Sequence, residues 1–168
     1  MRRSKRTVII AWAAVVLWMS FIFTMSAQPA EESKQTSGGV AELILRVVVP
    51  DFDGLSREEQ AEMIESIQYF VRKGAHFCGY ALLGILLFTA FSCHFEKLTL
   101  LVILSLSASA LYAASDELHQ RFIPGRSGEF ADVLLDSTGA LLGIMICLAV
   151  TFLWRRKKAG NKPIFARV

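Results

Sequence analysis

The residues that could do chemistry crowd into one short window. Asp116, Glu117, His119, Gln120 and Arg126 lie between two strongly apolar stretches, and Asp132 and Asp136 follow at the start of the second. Carboxylates and imidazoles grouped this way suit general acid–base work, because neighbouring charge and partial burial move their pKa values towards neutrality. Arg126, with Gly125 and Gly128 beside it, suits bidentate capture of a phosphate or carboxylate. Pro124-Gly125 predicts a tight turn that carries Arg126 back over a pocket. Charge at the edge of a hydrocarbon layer is expensive, so such a cluster marks a candidate working site. Asp116, Glu117 and His119 are the candidate catalytic residues. Lys73, His76, Tyr80, Gln120, Arg126, Asp132 and Asp136 are the candidate ligand-binding residues.

Two other chemistries fit less well. The residue types would suit zinc or another divalent ion, but the chain has no HExxH and no paired Cys/His spacing, so no metal or cofactor is expected. Ser115 or Ser127 could complete a nucleophilic triad, yet neither sits in an elbow motif.

The elements that must position these groups are membrane helices. More than half of the 168 residues are hydrophobic and the mean hydropathy is positive, which is unusual for a soluble domain. Four stretches, about 8–25, 75–93, 98–115 and 131–154, are long enough to cross a bilayer, which takes roughly 17–25 apolar residues. The expected fold is therefore all-α: one domain over 1–168, with a bundle of four transmembrane helices and amphipathic helices in the first extracytoplasmic segment. The basic run before the first stretch also resembles a signal-peptide n-region. Its length, with Trp12 and Trp18 inside it, favours a retained anchor.

Lysine and arginine set the orientation. With the N-terminus inside, the two tails and the His94–Lys97 turn hold 11 basic residues and one acid, Glu96; the opposite face holds 7 basic residues and 14 acids. Both termini are thus expected in the cytoplasm, with extracytoplasmic segments at about 26–74 and 116–130. The overall charge of +3 hides this split and implies no nucleic-acid partner. The Arg155–Lys158 run reads as a topology anchor that also suits anionic lipid headgroups. Cys78, Cys93 and Cys147 lie at different depths and read as packing residues.

Between the first two membrane stretches, Ser26–Ala30 and the polar residues up to Gly38-Gly39 read as a loop. Val40–Val49, with Glu42 and Arg46 four apart, reads as a short interfacial helix. Ser56 and Glu59 form a capping-box signature. The helix it opens either runs on into the second membrane stretch or bends near Gly74. Polar stripes at helical spacing then follow: Ser66, Tyr69, Lys73, His76 and Tyr80 on one helix, and Ser105, Ser109, Tyr112, Asp116 and His119 on the next. Asp132 and Asp136 lie one turn apart on the last, ahead of Gly139 and Gly143, which suit close helix packing. Alternating helix directions bring all three polar ends to one membrane surface. Asp136 lies about 6 Å deeper than Asp132, and it needs either a proton or a countercharge, which Arg126, Lys73 or a protonated histidine could supply. His94 lies in the opposite turn, where no role is expected.

Three motifs carry a resemblance over about residues 12–154. They are Lys73-xx-His76-Phe77-xx-Tyr80-xx-Leu83-Gly84, Asp116-Glu117-x-His119-Gln120-x-Phe122-x-Pro124-Gly125-Arg126, and Asp132-Val133-xx-Asp136-xx-Gly139. Together with Ser26-Ala27-Gln28-Pro29, the chain resembles the VanZ-like family of bacterial membrane proteins. The family often has Asn where Asp136 stands. The resemblance implies a small multi-pass protein of the bacterial cell membrane with a link to tolerance of the glycopeptide teicoplanin. Some members have been labelled phosphotransbutyrylases, a label that does not suit a polar cluster facing away from the cytoplasm. Three functions stay open. In the first, an outward-facing pocket lidded by residues 26–72 binds or modifies an amphiphile such as a lipid-linked envelope precursor. There Arg126 and Lys73 would hold the head while Asp116, Glu117 and His119 move protons. In the second, the polar cluster only holds helices in register. In the third, the protein is a proton-coupled transporter.

Overall fold

The computed structural model describes residues 4–160. Arg2, Arg3, Lys162 and Arg167, counted in the charge asymmetry, lie outside the described residues. Among the described residues the chain forms five α-helices and no strand: α1 (Lys5–Ser26), α2 (Ala30–Val48), α3 (Arg57–Phe91), α4 (Leu98–Gln120) and α5 (Phe130–Gly160). All but α2 are long and apolar enough to cross a membrane.

Helix α1 begins where Ser4 Oγ accepts from the Thr7 amide at 3.2 Å, satisfying one of the donors that a helix start leaves open. Its face of Ile9, Ile10, Val16 and Leu17 is exposed, as expected of a helix that meets lipid on one side. Helix α2 departs from the sequence expectation. Of the segment read as a loop up to Gly39, only residues 27–29 are non-helical between α1 and α2; from Ala30 it is helical and continuous with Val40–Val48. Glu31 and Glu32 in its first turn complement the positive end of the helix. Ser33, Ser37, Ala41 and Leu45 make a buried stripe at four-residue spacing against α3, and this packing outweighs the helix-weakening effect of Gly38-Gly39. Leu43, Ile44, Val47 and Val48 stay exposed on the other side, so α2 has the amphipathic form of an interfacial helix.

The expected capping box opens α3: Ser56 Oγ accepts from the Glu59 amide at 3.3 Å, and Glu59 Oε2 accepts from the Ser56 amide at 2.9 Å. The helix then runs 35 residues without a break at Gly74. At roughly 52 Å it exceeds a hydrocarbon core of about 30 Å, so one end stands clear of it. Helix α4 also outlasts its apolar stretch. It ends at Gln120, so Asp116–Gln120 belong to the helix, in line with the helical spacing of Asp116 and His119, although they lie beyond the apolar stretch at 98–115. The hydropathy falls there because the last turn turns its charges inward, where Asp116, Glu117 and Gln120 are buried.

Helices α3 and α5 pack through glycine. A Cβ at Gly139 would strike the Phe77 carbonyl, one at Gly143 the Ala81 carbonyl, and one at Gly84 the Ala140 carbonyl. The two backbones therefore approach as closely as small residues permit, as the glycine spacing on α5 predicts. Around this seam Val15, Ile22, Tyr80, Leu83, Leu87, Ala113 and Ala140 form the core. A second cluster of Phe88, Leu101 and Ile144 fills the opposite end. There Trp12 Nε1 donates to His94 Nε2 at 3.0 Å. His94, for which no role was expected, ties α1 to the α3–α4 turn. The three cysteines are free.

A candidate anion and amphiphile site

The polar ends of α3, α4 and α5 meet as the alternating topology requires. They enclose a cavity of about 140 Å³ lined by Tyr69, Arg72, Lys73 and His76 from α3, Glu117 and Gln120 from α4, and Asp132 and Asp136 from α5. The α4–α5 loop adds Arg126, Ser127 and Glu129, and Ala30 of α2 completes the wall.

Each group is fixed by a neighbour. Lys73 donates to Asp132 Oδ1, so α3 and α5 are joined by an ion pair with little solvent access. One turn deeper, His76 Nδ1 faces Asp136 Oδ2 at 3.7 Å. Asp136 is fully buried, and neither of its oxygens has a hydrogen-bond partner. The histidine is thus the countercharge that this carboxylate requires, when protonated. On α4, Asp116 Oδ2 accepts from Ser26 Oγ of α1 at 2.7 Å and from Gln120 Nε2 at 3.3 Å. Glu117 accepts from Gln120 Nε2 at 3.2 Å and from the Glu129 amide at 3.0 Å. That second bond satisfies a backbone donor just ahead of α5 and holds the loop down.

The loop performs the turn that Pro124-Gly125 predicts. Gly125 has φ of 74°, the left-handed region that favours glycine, and the Ala30 amide donates to the Pro124 carbonyl at 3.2 Å. Arg126 is carried back over the cavity, where Nη1 donates to Gln120 Oε1 at 3.2 Å. Burial, followed by the charge of Arg72, lowers the Arg126 pKa from its ordinary value. It remains a cation at neutral pH.

Beside this cavity lies a second, much larger and apolar space of about 730 Å³ between α1, α2 and α3. Trp18, Phe21, Ile22 and Met25 form one wall, Val40 and Ile44 of α2 another, and Gly74, Cys78, Gly79, Tyr80 and Leu82 its floor. Arg72, His76 and Arg126 line both spaces. The groove therefore adjoins the polar cavity, and the two arginines stand where the two spaces meet.

A scan of protein-family descriptions matched the VanZ/LLP1 family over residues 11–154. The chain belongs to the VanZ/LLP1 family. Among curated proteins and among solved structures no match was found.

Within this VanZ/LLP1 domain the sequence candidates divide. Lys73, His76, Glu117, Gln120, Arg126, Asp132 and Asp136 are brought together around the cavity, whereas Tyr80 lies on the groove floor with its hydroxyl unpartnered. Asp116 sits behind the cavity wall, held by Ser26 and Gln120. His119 is turned away: its ring stacks on Phe23 of α1 at 4.6 Å, and its Nε2 is buried without a partner. The expected single stripe on α4 is in fact two faces. Ser105, Ser109 and Asp116 point into the bundle. Tyr112, whose hydroxyl donates to the Met19 carbonyl at 2.6 Å, and His119 face α1. Neither triad serine is armed, since Ser115 Oγ donates to the Tyr112 carbonyl and Ser127 Oγ to Glu129. Among the described residues no three His, Cys, Asp or Glu side chains converge as metal ligands would.

Sequence reasoning missed Arg72 and Ser26. Arg72 was legible, since Tyr69, Arg72 and His76 repeat at steps of three and four. Ser26 belongs to the Ser26-Ala27-Gln28-Pro29 piece of the family resemblance, but its bond to Asp116 was not legible, because only the packing of α1 on α4 brings the two together.

Proposed function

We propose that this VanZ/LLP1 protein holds a cell-envelope amphiphile, with its anionic head in the polar cavity and its apolar part in the groove. The supporting observation is the adjacency of the two spaces, which share Arg72, His76 and Arg126 as lining. A small charged cavity beside a large apolar groove fits a molecule with one charged end and one long apolar end. Helix α2 walls the apolar groove, while of its residues only Ala30 reaches the polar cavity that the 26–72 segment was expected to lid. The pocket faces the extracytoplasmic side and meets lipid in the outer leaflet, in keeping with the basic residues of the opposite ends. Sequestering such an amphiphile, or presenting it to Glu117 for proton transfer, is a route by which the protein would alter envelope chemistry and glycopeptide tolerance.

A second reading has an observation of its own. Lys73–Asp132 and His76–Asp136 both tie α3 to α5, which is what a purely architectural cluster would do.

Gly79 separates the two readings. A Cβ at Gly79 meets nothing within 4 Å and points into open space, so Gly79→Leu fills the groove without disturbing the α3–α5 seam. The wild type, extracted from its membrane and examined by native mass spectrometry, is expected to carry bound lipid. Gly79→Leu should fold with a thermal midpoint no lower than that of the wild type and carry little of it. Equal lipid on both proteins would sink the amphiphile reading in favour of the architectural one.

A further inference from the structure

Arg72 reaches the join between cavity and groove from α3, and Arg126 reaches it from the α4–α5 loop. Among the described residues neither guanidinium forms an ion pair; Arg126 has only the neutral Gln120 amide as a side-chain partner. Of the four carboxylates lining the cavity, exposed Glu129 accepts from Ser127 and the other three are engaged elsewhere. Asp132 is taken by Lys73, Asp136 faces His76, and Glu117 accepts from Gln120 and the Glu129 amide. Two like charges at a half-buried, apolar boundary are unfavourable until an anion joins them.

We infer that the ligand of this site is a phosphate ester carried on a long apolar chain, gripped jointly by Arg72 and Arg126. This rests on the amphiphile reading above and names the chemistry of the head. A tetrahedral phosphate offers oxygens in several directions, so two planar guanidinium forks arriving from separate elements can each engage it. A carboxylate has two coplanar oxygens, which a single fork already satisfies. Size agrees: at about 140 Å³ the polar cavity is small beside the roughly 300–1,000 Å³ of pockets that take whole drug-sized ligands. It encloses the phosphate group, and any larger substituent lies outside it. Lys73, the sequence candidate for this role, is neutralised by Asp132, and Arg72 takes its place. Gln120 acts as a positioning residue. Its carbonyl oxygen accepts from Arg126 while its amide nitrogen donates to both Asp116 and Glu117.

The test uses the full chain in dodecyl maltoside, which carries no phosphate. Dodecyl phosphate, dodecanoate, dodecyltrimethylammonium and inorganic phosphate are titrated separately, with stoichiometry read by native mass spectrometry and affinity by thermal shift. Dodecyl phosphate should bind one per chain and more tightly than the other three. Arg72→Gln and Arg126→Gln should each weaken it about ten- to a hundredfold. Arg57→Gln, the same charge change about 22 Å along α3 from Arg72, should leave it unchanged. Removing Arg72 also relieves its repulsion with Arg126, so the unliganded thermal midpoint of Arg72→Gln should not fall. A residue with a merely structural role would lower that midpoint. Arg72→Lys, which keeps the charge but loses the fork, should bind with intermediate affinity.

Equal binding by wild type and both glutamine variants, with Gly79→Leu still abolishing it, would overturn the phosphate assignment and leave the amphiphile reading standing. Dodecanoate binding as tightly as dodecyl phosphate would overturn it too. Inorganic phosphate binding as tightly would remove the lipid from the proposal. Retention of no amphiphile would overturn both readings.

Discussion

At the scale of single residues, the two carboxylates of α5 make contrasting demands. Asp132 is matched by Lys73. Asp136, four residues on, is fully buried with both oxygens lacking hydrogen bonds and only His76 as countercharge. Removing half of a close ion pair leaves the other charge unmatched, so Asp132→Asn should lower stability by about 1.5–3 kcal/mol. Asp136→Asn removes a buried charge that the protein barely satisfies, so its stability should be unchanged or higher. Thermal midpoints of the two variants in one detergent check this, and equal losses would mean that the His76 contact is worth as much as the Lys73 pair. The charges themselves were legible in the sequence, as was the need of Asp136 for a partner. Which cation answers which carboxylate was not. Lys73, His76 and Arg126 all lie within reach on a helical map, and only the depth at which α3 meets α5 decides among them.

At the scale of elements, the α3–α5 seam carries the site, because Lys73, His76, Asp132 and Asp136 all stand on these two helices. Its closeness depends on Gly84, Gly139 and Gly143, each facing a backbone carbonyl of the other helix. A side chain at Gly143 has no flexible neighbour to displace, since the obstacle is the Ala81 main chain. Gly143→Val should therefore cost about 1–3 kcal/mol or more. It should also draw Lys73 away from Asp132, which would appear as a lowered thermal midpoint together with loss of bound lipid. Gly74, where an added Cβ meets nothing, should instead accept alanine with a gain of about 0.5–1 kcal/mol from helix propensity. The glycine spacing on α5 announced a packing face. The helical state of residues 30–39 was hidden, because Gly38-Gly39 and the polar composition argue locally for a loop. The stripe of Ser33, Ser37, Ala41 and Leu45 pays off only when α3 lies beneath it.

At the scale of the whole molecule, four spanning helices put the start of α1 and the end of α5 on one side of the membrane, and the proposal that the basic residues hold that side in the cytoplasm can be tested directly. In a background where Cys78, Cys93 and Cys147 are serine, a cysteine introduced at Glu58 should react with an impermeant maleimide in intact cells. One introduced at Lys97 should react only after permeabilisation; the reverse pattern would invert the topology and put the pocket on the inner face. The sequence by itself determined the class, the number of membrane helices, the surface on which the charges gather and the turn that returns Arg126. Each of these follows from local composition or from counting helix directions. Tertiary structure decided the rest. It turned His119 towards Phe23, paired Lys73 with Asp132, and left Arg72 and Arg126 together at the mouth of an apolar groove. Helical periodicity fixes which residues share a face but not the rotation or depth at which that face meets its neighbour. In this bundle those two quantities separate a neutralised charge from one still free to bind.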